Sequence, residues 1–130
     1  MTDLEQAREF FRNDRFATVN GAVIDEIGDG YAVCSMALTD DHKNALGNVM
    51  GGAIFTLADF CFAVAANWGK KAAVSTVSQI TFLRAARGDL LYARAEAVRE
   101  GRTTVYYEGS VTDADGRIIA RFTSSGQVVG

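Results

Sequence analysis

Gly51-Gly52-Ala53-Ile54-Phe55-Thr56-Leu57-Ala58-Asp59-Phe60-Cys61-Phe62-Ala63-Val64-Ala65-Ala66-Asn67-Trp68 is the stretch on which the fold turns. From Ala53 to Ala66 its single charge is Asp59. The run is too long for an ordinary buried strand, is rich in Ala and Phe, and extends to Trp68 before Gly69, Lys70 and Lys71 end it. It predicts a helix that is apolar almost all round, hence central and buried. An ionised carboxylate on such a helix must be paired, hydrogen-bonded, shifted in pKa or exposed in a cleft. Shifted or cleft-exposed carboxylates serve acid/base and nucleophilic chemistry. The other uses of a lone Asp are capping a neighbouring backbone or pairing with an Arg at a subunit contact.

Working outward from this helix, the N-terminal side opens with Thr2 as N-cap of a short helix. Leu4, Ala7, Phe10 and Phe11 form its apolar stripe, and Glu5, Arg8, Glu9 and Arg12 face solvent. From Ala17 to Leu38 two extended segments flank Gly28-Asp29-Gly30, and the alternation along Tyr31 to Leu38 predicts a β-hairpin. Thr39 to Met50 reads as a polar loop into the central helix. Beyond Lys71 the pattern is β throughout, with strands at Ala73 to Leu83, Leu90 to Arg99, Thr103 to Thr112 and Arg117 to Val128. Arg87-Gly88-Asp89, Glu100-Gly101-Arg102 and Asp113-Ala114-Asp115-Gly116 punctuate them at hairpin spacing. Helix, two strands, one long buried helix and four antiparallel strands describe an α+β protein in which an antiparallel sheet wraps one central helix.

Composition narrows the functional classes. The chain has 130 residues, enough for one domain (1-130) with one core and too few for two. Its net charge is -3 and no segment concentrates Lys and Arg, which argues against a nucleic-acid partner. Cys34 and Cys61 are far apart in sequence and the second sits within the apolar helix, so reduced core residues are expected rather than a disulfide framework. With 1 His and scattered acids there is no metal cluster to assemble, and no Walker or dinucleotide glycine pattern occurs, so no cofactor is expected. The charged N-terminus lacks a secretory h-region, and the run after Gly52 carries Asp59 and is too short to span a bilayer, which leads to the expectation of a soluble, cytoplasmic protein without a membrane partner.

The residues from His42 to Asp59 then acquire a pattern. His42, Asn44, Gly47, Gly51-Gly52, Leu57 and Asp59 fall in register with H-x-N-x-x-G-x-x-H-G-G-x-x-x-x-L-x-D, and in this feature the chain resembles the hot-dog fold acyl-CoA thioesterases of the phenylacetate-pathway (PaaI-like) type. The strand order and lengths on both sides extend the resemblance over nearly the whole chain. It implies hydrolysis of an acyl-CoA thioester, with Asp59 as nucleophile or as base for water and the Gly51 N–H as donor to the thioester carbonyl. It implies further that Asn44 orients substrate or water, and that a hydroxyl in the strand after the helix lies near the carboxylate, for which Ser75 is the first choice and Thr76 the second. One departure stands out. Where many relatives have His before Gly-Gly this chain has Met50, which cannot donate a hydrogen bond. His42 matches the first motif position and is a weak candidate.

Local physics agrees with the resemblance. First-turn N–H groups of a helix lack intrahelical partners and sit at the positive end of its dipole, so Gly51 and Gly52 can receive a developing oxyanion. Asp59 follows Gly51 by 8 residues, a rise of about 12 Å. One helix therefore does not easily serve one carbonyl with both groups, whereas two subunits can, and the resemblance implies sites at a dimer interface and a dimer of dimers. The phosphates of CoA call for basic residues at the rim, and Arg84 and Arg87 are the substrate-binding candidates beside Met50, Gly52 and Thr76; Lys70 and Lys71 are further basic side chains near the helix end. Phe55, Phe60, Phe62 and Trp68 are possible walls of an acyl pocket. The alternative reading is a non-catalytic acyl-ligand binding protein of the same fold, which Met50 favours.

Overall fold

The computed structural model describes residues 1–130. The elements run α1 (Asp3–Phe11), α2 (Arg15–Val19), β1 (Ala22–Gly28), β2 (Tyr31–Ala37), a 3-10 turn (Asp40–His42), α3 (Gly51–Asn67), β3 (Ala73–Phe82), β4 (Leu90–Glu100), β5 (Thr104–Thr112) and β6 (Ile118–Val128). The long helix ends where the sequence places its end, with Trp68 as C-cap donating its N–H to Val64.

All six strands join one antiparallel sheet in the order β1-β2-β4-β5-β6-β3. Helix α3 touches every strand, so the sheet curls around it as the sequence predicts. Close approach is possible because Ala32 on β2 and Ala93 and Ala95 on β4 are small and fully covered. The Cys61 thiol consequently reaches the carbonyl oxygens of Ala32 at 3.2 Å and Ala93 at 3.5 Å. Leu57, Val64, Met36, Leu91 and Val111 complete the core. Each large apolar side chain buried here contributes roughly 1.5–3 kcal/mol relative to exposure. Both cysteines are free and buried, as expected.

Three expectations need correction. The segment from Ala17 is not extended: Arg15 to Val19 form a helical turn and the first strand begins at Ala22. The punctuation at Arg87-Gly88-Asp89 is not a hairpin, because β3 pairs with β6 at the far edge instead of with β4. Phe10, placed in the apolar stripe of α1, is exposed, while Ala7 and Phe11 are buried. Its ring still lies 6.0 Å from that of Trp68.

Strand β3 is an edge strand with an unusual surface. Only Ala73 of its 10 residues is buried, and Val74, Val77 and Phe82 are among its exposed members. An edge strand with apolar side chains and unpaired backbone groups is a template on which another strand can pair.

Candidate active site

Helix α3 is covered on most sides but leaves one strip open. Gly52, Phe55, Thr56, Asp59 and Ala63 are incompletely buried, and their spacings of three and four put them on one face. Across this strip lies α2. Together they enclose a cleft of about 370 Å³ lined by Asp14, Phe16, Phe55, Thr56, Asp59 and Phe60, with Arg15 and Ala17 at its margin. Asp59 has no ion pair within the chain, and burial followed by the charge of Asp14 raises its pKa above the ordinary 3.8. Burial raises Asp14 as well. Asp14 occupies the N-cap position of α2 without capping it, so neither carboxylate is used up by structure.

A second cavity of about 350 Å³ continues along the same strip, lined by Phe16, Met36, His42, Met50, Gly52 and Thr56 among others. Phe16 and Thr56 line both cavities, so the two are neighbours along the strip between the helix N-terminus and Asp59. At that N-terminus no side chain caps the helix, so the Gly51 and Gly52 N–H groups keep the free donors expected of a first turn. A Cβ on Gly51 would come within 3.1 Å of the Phe82 ring, and one on Gly52 within 2.8 Å of Met50 Cε. A side chain at Gly51 would thus press on Phe82, and one at Gly52 would displace the flexible end of Met50.

Asn44 organises its own loop. Its Oδ1 accepts from the N–H groups of Leu46 at 3.0 Å and Asn48 at 3.1 Å, leaving its amide Nδ2 without a partner in the chain. His42 is buried and doubly bound. Its Nδ1 accepts from the Thr39 N–H at 3.0 Å, which puts the proton on Nε2, and Nε2 donates to the Asn20 carbonyl at 2.6 Å. The histidine thus pins the loop before α3 onto the end of α2, although its ring also forms part of the cavity wall.

On β3, Ser75 pairs with Gly126, and the register then shifts by one residue before Val77 pairs with Ser125. Thr76 is the extra residue of this bulge, and its hydroxyl donates to the Ser125 carbonyl at 3.2 Å. Ser75 keeps its hydroxyl free and shares the face of Gly126, whose added Cβ would meet Phe62 of α3 at 3.3 Å. Ser75 therefore lies on the helix side of the sheet, but neither it nor Thr76 lines the Asp59 cleft within one chain.

Arg84 and Arg87 are exposed in the β3–β4 connection, just beyond Phe82 and thus toward the helix N-terminus. The Arg87 backbone N–H is held by Asp113 at 3.0 Å. Lys70 is committed elsewhere, with its ammonium 2.6 Å from Glu100 Oε1 and 3.3 Å from the Tyr107 hydroxyl; Lys71 is exposed. Among the aromatic candidates, Phe55 and Phe60 line the cleft. Phe62 packs edge-on to Tyr107 and Trp68 packs on α1, donating its indole N–H to Asp3 at 3.1 Å, so these two are structural. Asp14, Phe16 and Phe82 are site-facing residues that the sequence reading missed. The signal for Asp14 was its place in Asn13-Asp14-Arg15, a helix-start pattern overlooked because only five residues follow in α2.

Nowhere do three or more His, Cys, Asp or Glu residues gather as a metal site would require, and no helix is long and apolar enough to cross a membrane.

Comparison with known proteins places this arrangement. The model of the family described as thioesterase superfamily matches residues 46–120. Acyl-coenzyme A thioesterase PaaI of Escherichia coli is 32% identical over 127 residues, covering 97% of this chain and 91% of that protein. The structure of the E. coli PaaI protein superposes with a TM-score of 0.91 at 31% identity over 98% of this chain and 94% of that one. A hypothetical thioesterase of Streptococcus pneumoniae solved with coenzyme A has a TM-score of 0.84 at 27% identity, covering 92% of this chain and 97% of that one. The wrapped helix is accordingly the hot-dog fold, and with a family match over more than half of its length this chain belongs to the thioesterase superfamily.

Proposed function

We propose that this protein hydrolyses acyl-CoA thioesters to the free acid and CoA, with Asp59 as the reacting carboxylate. The observation that carries this reading is Asp59 itself: unpaired, raised in pKa and facing an aromatic cleft on an otherwise apolar helix. The relatives support the reaction class, since PaaI is named an acyl-CoA thioesterase and the pneumococcal neighbour was solved with CoA.

Two routes share these atoms. Asp59 takes a proton from water, whose hydroxide adds to the thioester carbon; or the carboxylate adds directly, giving a mixed anhydride that water then cleaves. In either route the carbonyl oxygen gains charge on the Gly51 N–H. Collapse of the tetrahedral species breaks the C–S bond and releases CoA thiolate, which takes up the proton. No cofactor enters, because CoA is part of the substrate. Asn44, through its unused Nδ2, and Ser75, through its free hydroxyl, are the proposed water- or substrate-orienting groups; Met50, Gly52 and Thr76 border the thioester, and Arg84 and Arg87 are rim cations for its phosphates.

Helix α3 is continuous from Gly51 to Asn67, so the two reacting groups remain about 12 Å apart along its axis. A site built from Gly51 of one protomer and Asp59 of its partner resolves this, and the apolar β3 edge supplies the contact. The protein is proposed to act as a homo-oligomer, a dimer of dimers. Free, buried thiols suit a reducing compartment, and the cytoplasm is the proposed location. Met50 favours a second reading, an acyl-ligand binder without turnover. Thiol release from a panel of short, long and aromatic acyl-CoAs decides: turnover supports the hydrolase, and binding without turnover supports the binder.

A further inference from the structure

A groove of about 700 Å³, larger than either cavity along α3, lies between the N-terminal helices and β1, and neither Asp59 nor Gly51 lines it. Its floor is apolar: Phe11 and Phe60 meet there edge to face, with ring centroids 6.3 Å apart. Val19 and Val23 form its sides and are 72% and 51% exposed, so apolar surface is left uncovered on both flanks. The charges around it all have one sign. Arg8, Arg12 and Arg15 line the groove and no carboxylate does. None of the three is ion-paired, since the chain's ion pairs are Lys43–Asp40, Lys70–Glu100, Arg94–Glu96 and Arg117–Asp113. In a protein of net charge -3, this is a local reversal of sign.

Arg8 is positioned by the fold. Its Nε donates to the Ile24 carbonyl at 2.8 Å, which fixes the guanidinium against β1 and leaves its Nη groups as unused donors. A guanidinium held in this way pairs with a carboxylate through charge-assisted hydrogen bonds and needs little further ordering to do so. The groove's volume falls in the range of about 300–1,000 Å³ typical of small-molecule sites, which combine apolar walls with a few placed polar groups. An inorganic anion would leave the aromatic floor unused, and a neutral hydrocarbon would leave the cations unpaired. A molecule with an apolar body and an anionic head uses both.

We propose that this groove is a binding site for a small amphipathic carboxylate, an alkanoate or arylalkanoate, separate from the Asp59 cleft. Arg8 and Arg12 take the carboxylate, Arg15 completes the positive rim, and Phe11, Phe60 and Val23 hold the apolar body. Arg8, Arg12 and Val23 line this groove and neither of the cavities along α3. The free acid of the proposed hydrolysis belongs to the same chemical class, but the site itself does not rest on the hydrolase reading.

Calorimetric titration of the intact protein with decanoate and with 4-phenylbutyrate, neither of them a thioester, tests the assignment. Both are expected to bind, more weakly as salt rises, and the uncharged 4-phenylbutyramide to bind at least about tenfold more weakly than the acid. Arg12→Gln removes a cation and Val23→Asp puts a carboxylate into the groove wall. Both positions are exposed, and a thermal melt checks that the fold is intact. Each substitution is expected to weaken binding, and the two together by at least about tenfold. In amide NMR spectra decanoate is expected to shift the resonances of Arg8 to Arg12 and of Ala22 to Ile24. Unchanged affinity in the double variant overturns the proposal, as do amide shifts confined to Phe55 to Asp59, which would seat the acid in the cleft. Equal affinity for acid and amide overturns it by removing the cations, and displacement of decanoate by an equal concentration of inorganic phosphate overturns it by removing the floor. A protein that cleaves acyl-CoA but binds neither acid loses this site and keeps the hydrolase reading, whereas acid binding at the groove without turnover does the reverse.

Discussion

At the scale of single residues, Asp59 combines two opposed demands. A carboxylate whose pKa is raised by burial and by Asp14 keeps its proton to higher pH in the folded protein than in the unfolded chain. Its ionisation therefore destabilises the fold progressively as pH climbs from the ordinary carboxylate value through the raised one. Asp59→Asn should melt higher than the native protein at neutral pH while losing activity, a trade-off characteristic of reacting groups. Because the reaction needs the ionised form, the acid limb of the kcat/KM profile should lie above 3.8, the ordinary Asp value. Asp14→Asn removes the like charge and should shift that limb downward; a limb that stays put contradicts the coupling. Gly51→Ala keeps the oxyanion N–H but crowds the approach to it: its methyl would press on the Phe82 ring at 3.1 Å, and a fall in kcat is expected. The isolation of Asp59 was legible because charge contrast is local. Asp14 was not, because its approach to Asp59 exists only once α2 folds onto α3.

Among the elements, the long helix and the strands after it were readable because each has a strong internal period. Strand partners were not. Nothing in Ala73 to Phe82 says that it crosses to β6, since pairing is decided by which edge remains free after the hairpins have formed. The device that holds this crossover is the Asp113 turn. Its buried carboxylate accepts from the N–H groups of Arg87, Asp115 and Arg117, each at 3.0 Å, and pairs with the Arg117 guanidinium at 2.9 Å. Burial alone would raise its pKa, but these backbone and Arg117 bonds outweigh that and bring it down to about 2. Its stabilisation is thus fully present above the ordinary value of 3.8 and is lost as pH falls through about 2. Asp113→Asn should lower the melting temperature at neutral pH, and the gap to the native protein should narrow in acid; a gap constant with pH contradicts the linkage. Tyr107 makes the matching test on the opposite side. Its buried hydroxyl donates its one proton to the Glu100 carboxylate, with the Ala65 carbonyl of α3 the second acceptor in reach at 3.2 Å, so Tyr107→Phe should cost about 1–2 kcal/mol in denaturant unfolding.

For the whole molecule, assembly and activity are expected to fail together. If the oxyanion donor and the carboxylate come from different protomers, a charge placed on the apolar β3 edge separates both. Val77→Glu, at a position 60% exposed in the single chain, should give a smaller species by light scattering and abolish turnover while circular dichroism stays native. A monomer with undiminished kcat contradicts the shared site. The sheet wrapped on one helix was foreseeable from element order, whereas the cleft was not, because it lies between α2 and α3, which only folding brings together. Every part of this account passes through one carboxylate, so the decisive measurement is thiol release from acyl-CoA by the native protein and by Asp59→Asn. The account predicts turnover by the native protein and a loss of at least about 10²-fold in the variant, with fold and oligomer unchanged. Equal turnover by the two proteins would contradict it.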